Sequence, residues 1–252
     1  YCKFMNPFRI FLLAALVFVV FGIDRAEANQ EKFPNWSYEA GDTPIGIAFS
    51  AEGDIVLGSY DNKVYFFDKG NSTPLWNYTA GDNINAVDIS ANGQYLVAAS
   101  RDNYLYFFER DSNTPLWSYT NGEYFADAAI SLDGQYITAS DWDGRLYLFS
   151  KDSSTPLWIF QSGGIMRVDI SSDGEYIVAA SNDNYFYLFN KDSNESLWNY
   201  TDGHQAWAIV ISSDGEYIAA ASDPQGADAN LYFFNRANNT PLWNTTIGST
   251  WP

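Results

Sequence analysis

A tryptophan recurs through this chain at a nearly fixed beat. Trp76, Trp117, Trp158, Trp198 and Trp243 stand 41, 41, 40 and 45 residues apart, and Trp36 lies 40 before the first. A turn closed by glycine keeps the same time, at Gly53, Gly93, Gly134, Gly174 and Gly215. A period near 40 residues restricts the fold more than any other feature, because so short a unit cannot bury its own apolar face and must stack on neighbours.

Within the period spanning residues 84–120, four runs stand out: 84–89, 95–99, 104–108 and 116–119. They are rich in Val, Ile, Tyr, Phe and Trp and are separated by turn residues, which predicts four short antiparallel strands. The Ser-x-Asp-Gly-x-Tyr turn supplies an Asp that bonds its own backbone and a Gly free to take positive φ, as a tight hairpin needs. Pro74, Pro115, Pro156 and Pro241 open the fourth run, where a missing N–H is tolerated on an edge strand. Four strands per unit, arranged radially, make an all-β propeller of four-stranded antiparallel blades. Five full blades fit, near residues 44–79, 84–120, 125–160, 165–201 and 206–246, with 36–39 expected as one extra outer strand. That count suggests a truncated six- or seven-bladed ring; a closed five-bladed ring with a redundant strand is the alternative.

The runs AVDISANGQYLVAASRDNYLYFF and VDISSDGEYIVAASNDNYFYLF resemble the first three strands of WD40-like repeats. The tail KDSSTPLW is similar to the tryptophan-bearing end of repeats in pyrroloquinoline-quinone (PQQ)-type propellers. The likeness covers residues 36–246. It departs from WD40 in replacing the Trp-Asp dipeptide by Phe67-Asp68, Phe108-Glu109, Phe149-Ser150, Phe189-Asn190 and Phe234-Asn235, and in having Gly-His once, at Gly203-His204. The WD40 hydrogen-bond tetrad is therefore expected to be mostly absent.

Residues 1–28 read as a leader. Met5 is the expected initiator, Arg9 precedes an apolar run from Ile10 to Ile23, and Ala26-Glu27-Ala28 is a small-x-small cleavage site. An uncleaved membrane anchor is the alternative, disfavoured because the run is short for a bilayer. Removing the leader removes Cys2, the only cysteine, so thiolate-metal chemistry is excluded for the mature chain. It also leaves 10 basic and 29 acidic side chains, a surface that repels phosphate backbones and makes nucleic acid a poor partner. Export agrees with seven Asn-x-Ser/Thr sequons, at Asn35, Asn71, Asn77, Asn194, Asn199, Asn238 and Asn244, all expected on the rim.

Two constellations could carry function. On the innermost strands Asp88, Asp127, Arg167 and Asp169 alternate with apolar residues, and carboxylates in close company shift each other's pKa. A solvated channel lining explains them as well. Where the repeat pattern breaks, Tyr124, Trp142, Arg145, His204 and Trp207 fall on loops that a propeller brings to one face. Exposed aromatics with polar neighbours suggest recognition of a protein, peptide or glycan; alternatively Tyr124, Phe125 and Trp207 cap the core. Asp141-x-Asp143-Gly144 resembles the start of a calcium loop without its full spacing, and His204 is the only histidine. No metal or cofactor is predicted.

The expected function is an exported, non-catalytic binding scaffold. The PQQ-type resemblance implies instead a quinone-dependent dehydrogenase, which needs a larger ring, a calcium cluster and usually an adjacent cysteine pair. A propeller hydrolase using the channel carboxylates is the third reading, weakened by the lack of a nucleophile and base pattern.

Overall fold

The computed structural model describes residues 36–164, 166–223 and 229–247. The chain divides into two units, residues 1–35 and 36–252, and every described residue belongs to the second. The leader and Asn35 lie outside the described residues.

Twenty strands form five four-stranded sheets, each paired antiparallel in chain order. Blade 1 holds β1 (Pro44–Phe49), β2 (Ile55–Ser59), β3 (Lys63–Phe67) and β4 (Trp76–Thr79). Blade 2 holds β5 (Ile84–Ile89), β6 (Tyr95–Ser100), β7 (Tyr104–Glu109) and β8 (Trp117–Thr120). Blade 3 is β9 (Phe125–Ile130), β10 (Tyr136–Asp141), β11 (Arg145–Ser150) and β12 (Trp158–Gln161). Blade 4 is β13 (Met166–Ile170), β14 (Tyr176–Ser181), β15 (Phe186–Asn190) and β16 (Ser196–Tyr200). Blade 5 is β17 (Gln205–Ile211), β18 (Tyr217–Asp223), β19 (Ala229–Asn235) and β20 (Trp243–Ile247). The four-strand reading agrees with these sheets, which run over residues 44–79, 84–120, 125–161, 166–200 and 205–247.

The second and third strands of blades 2–4 are buried almost throughout, Leu96–Ser100 and Leu105–Phe108 among them. A strand buried on both faces reads as a continuous apolar run, because a blade lies on either side of it. Hairpin turns at Gly93, Gly134, Gly174 and Gly215 have φ between 68° and 73°, the conformation glycine adopts without strain.

The tryptophans join one blade to the next. Trp76 lies between Phe66 of its own blade and Phe108 of the next, with ring centroids 5.4 and 5.6 Å away. Its indole N–H donates to the Arg110 carbonyl. Trp117, Trp158 and Trp198 repeat the bond to Lys151, Lys191 and Arg236, at 2.8, 2.8 and 2.9 Å. Two residues on, Tyr78, Tyr119, Phe160 and Tyr200 pack against the same neighbouring strand.

Residues 36–39 correct one expectation. They form no strand. Instead the Trp36 indole N–H donates to the Lys69 carbonyl at 3.2 Å, Trp36 stacks on Phe67, and Tyr38 packs on Tyr65 and Phe67. The segment thus takes on blade 1 the place that each outer strand takes on the following blade. It does not pair with β19, whose partners are β18 and β20. The innermost strands β1, β5, β9, β13 and β17 abut in that order, and among the described residues no packing of comparable extent joins β17 to β1.

Candidate interaction face

Turns between second and third strands, together with the loops between blades, form one end of the sheets, and a repeated Asp ties the two together. Asp61, Asp102 and Asp183 each accept from a tyrosine hydroxyl, of Tyr65, Tyr106 or Tyr187, and from the loop N–H of Gly41, Gly81 or Gly163. The following residue takes positive φ, 67° at Asn62, 77° at Asn103 and 79° at Asn184, which Asn tolerates better than most residues. A buried serine before the Asp, Ser59 or Ser100, donates to the carbonyl of Asp42 or Asp82 in the same loop. In blade 3, Asp141 takes the role with Tyr147 and Asn121. Blade 5 moves the acid into the loop itself, where Asp202 accepts from Ser222, Asn230 and Tyr232. Burial opposes ionisation of Asp202, but these bonds and the His204 N–H outweigh it and bring its pKa down to about 2. The tetrad's own Trp and His are not used: Phe67, Phe108, Phe149, Phe189 and Phe234 hold the tryptophan place, and turn and loop are joined instead by an Asp, the hydroxyl of a tyrosine two residues before that Phe and, in blades 1, 2 and 4, a glycine N–H.

The innermost carboxylates join blades. Asp88 accepts from Ile89 N–H of its own strand and from Ile130 N–H of the next blade, at 2.8 and 2.9 Å. Asp127 reaches Val168 and Asp169 reaches Ile211 in the same way. Burial pushes Asp88 up to about 6 and Asp169 up to about 7, with neighbouring carboxylates adding to it; Asp127 is raised too, burial outweighing the Arg167 charge. Arg167 is exposed and donates to the Ala126 carbonyl at 3.4 Å. Among the described residues no group of three His, Cys, Asp or Glu is placed to hold a metal ion.

Of the five face residues, the structure gathers three on blade 3. Tyr124 and Trp142 are 46% and 48% exposed, and the Trp142 N–H donates to the Tyr124 carbonyl at 2.9 Å. Arg145 is not a free cation: it pairs with the buried Asp141 at 3.1 Å and with Asp143 at 3.2 Å. Phe125, beside Tyr124, is wholly buried and belongs to the core. His204 and Trp207 lie at the start of blade 5, His204 exposed with Nδ1 3.4 Å from Asp202 and Trp207 half-buried. Asn71, Asn77, Asn194, Asn199, Asn238 and Asn244 are all exposed, on β4, β16, β20 or the turns before them.

Two features were missed by the sequence reading. A β-bulge recurs near the start of the first strand, skipping Ile45, Asn85, Ala126 and Trp207; bulges re-aim the side chain they carry. Asn85 uses this to donate to the Phe125 carbonyl of blade 3 and to accept from Arg101. Arg101 occupies the variable second place of the Ser-x-Asp-Asn turn, filled by Tyr60 in blade 1 and Asn182 in blade 4. Comparing that single place among repeats would have found it.

The model of the family WD domain, G-beta repeat matches residues 72–109 and 154–190. Each stretch runs from the outer strand of one blade, where Trp76 or Trp158 stands, through the first three strands of the next. A search of curated proteins gives no match. Matches and sheets together make the chain a WD40-like β-propeller repeat protein.

Proposed function

We propose that this repeat protein is an exported, non-catalytic interaction scaffold that holds a protein segment against the loop face of blades 3–5. WD40 repeats point to protein interaction in general. The observation that favours this face is the exposure of Tyr124 and Trp142, side by side on two loops. The junctions on either side of blade 3 already have their rings, Trp117, Tyr119, Trp158 and Phe160, so these two are surplus to packing, and an exposed aromatic pair with a polar rim suits a recognition patch. Export is supported by the leader-like residues 1–28 and by exposed sequon asparagines on the outer strands, where glycans leave the loop face open.

The test is retention of the folded chain on an array of secreted proteins and glycans. The double change Trp142→Ala and Trp207→Ala is expected to abolish retention while the melting curve stays nearly unchanged. Equal retention, or a collapsed melt, counts against the face. Expression in a secreting eukaryotic cell checks export: the product is expected in the medium, with a mass that falls on endoglycosidase treatment, and an intracellular product overturns it.

A further inference from the structure

We propose that the partner segment presents a carboxylate, an Asp or Glu side chain, to Arg101 at the edge of this same face. The inference rests on the loop face being the binding face and adds the chemistry that is read there.

The carrying observation is a cation held in place by neutral groups alone on a strongly acidic chain. Thirty-one acidic residues face 13 Lys and Arg, yet among the described residues no carboxylate lies within 4.0 Å of Arg101. Four other cations are each paired with a carboxylate. Arg110 pairs with Asp54 and Arg145 with Asp141, Lys151 pairs with Asp152 and Lys191 with Glu175 and Asp192.

Arg101 is also held in place by neutral groups. Its Nε donates to Asn85 Oδ1 at 2.9 Å and its Nη2 to the Tyr60 hydroxyl at 3.1 Å. The guanidinium sits 5.1 Å from the Tyr60 ring centroid. Neither partner cancels the charge, Nη1 has no protein acceptor among the described residues, and the side chain stays partly exposed. A guanidinium fixed in this way loses little further entropy on binding and offers donors in the fork that matches a carboxylate.

Tyr60, Arg101 and Trp142 stand in the corresponding turns of blades 1, 2 and 3. They line up as aromatic, cation, aromatic along the face. The remaining acidic surface repels a carboxylate, so an acidic residue of a partner is directed to this place.

The experiment selects a phage-displayed random peptide library against the folded chain, then measures the enriched sequences as synthetic peptides. Binders are expected to share one Asp or Glu beside apolar residues. Replacing that residue by Asn or Gln is expected to weaken binding about tenfold, Arg101→Gln by the same factor, and both together by no more than either alone. Tyr60→Phe, which keeps the ring and the charge but removes the hydroxyl that fixes Nη2, is expected to weaken binding about threefold and serves if Arg101→Gln lowers the melting temperature. Binders lost with Trp142→Ala and Trp207→Ala but indifferent to Arg101→Gln and Tyr60→Phe overturn the carboxylate and leave the face standing. Binders indifferent to all of these variants, or no binder above background, overturn both.

Discussion

Trp198 and Trp243 close the same motif one repeat apart, yet they live in different surroundings. Trp198 on β16 rests on blade 5, 5.4 Å from Phe234, with its indole N–H on the Arg236 carbonyl. Trp243 on β20 stacks on Phe233 of its own blade at 5.2 Å and remains 48% exposed. At the other end of the array Ile47 of β1 is 64% exposed, whereas Val87, its counterpart in blade 2, is buried. Burial of the repeated residues is thus a property of the neighbour, not of the blade, as expected for units that cannot bury their own faces.

The largest expected effect comes from removing an enclosed junction ring. Trp117→Ala should cost about 3 kcal/mol in chemical denaturation, at the low end for a packed Trp because the ring is only half-buried. Trp243→Ala should cost under about 1 kcal/mol, since half of its surface is already in water. Equal losses would show that the neighbour contributes nothing.

Next comes pH, acting on the three carboxylates that join blades 2 to 5. Asp88 and Asp169 titrate in the fold near 6 and 7 against an ordinary value of 3.8, and Asp127 is shifted the same way. A raised carboxyl pKa means that the fold binds protons more tightly than the unfolded chain, so stability falls as pH rises from about 4 through 7. The melting temperature should be higher at pH 5 than at pH 8, and Asp169→Asn should flatten the slope. A melt that improves on going to pH 8 would contradict the burial of these groups. Below pH 4 the sign reverses, because the unfolded chain then binds a proton at Asp202 that the fold, holding this group near 2, does not.

A smaller loss follows from disturbing one turn inside a blade. Asp102→Asn keeps the shape but weakens acceptance from Gly81, Tyr104 and Tyr106, and should cost about 2 kcal/mol in the same denaturation. The smallest concerns the terminal stand-in. Trp36→Ala removes a ring that caps blade 1 from one side only, and should cost roughly 1 kcal/mol or less; a loss as large as that of Trp117→Ala would place residues 36–39 among the enclosed junctions.

The sequence by itself determined the repeat, the four strands of each blade and the glycine turns, because each depends on spacing along one chain. It also marked Tyr124 and Trp142 as interruptions of the pattern, while their exposure, and the burial of Phe125 beside them, came from the fold. Only the tertiary structure decided that Asp88, Asp127 and Asp169 join blades, that Arg145 is neutralised by Asp141, and that Asn85, Tyr60 and Arg101 come together. Tyr60 and Arg101 lie 41 residues apart and Asp88 and Ile130 42, close to one full period, so their periodic spacing puts them in matching places on adjacent blades. Which of them touch depends on how closely the blades approach and where a bulge turns a side chain, and spacing carries neither.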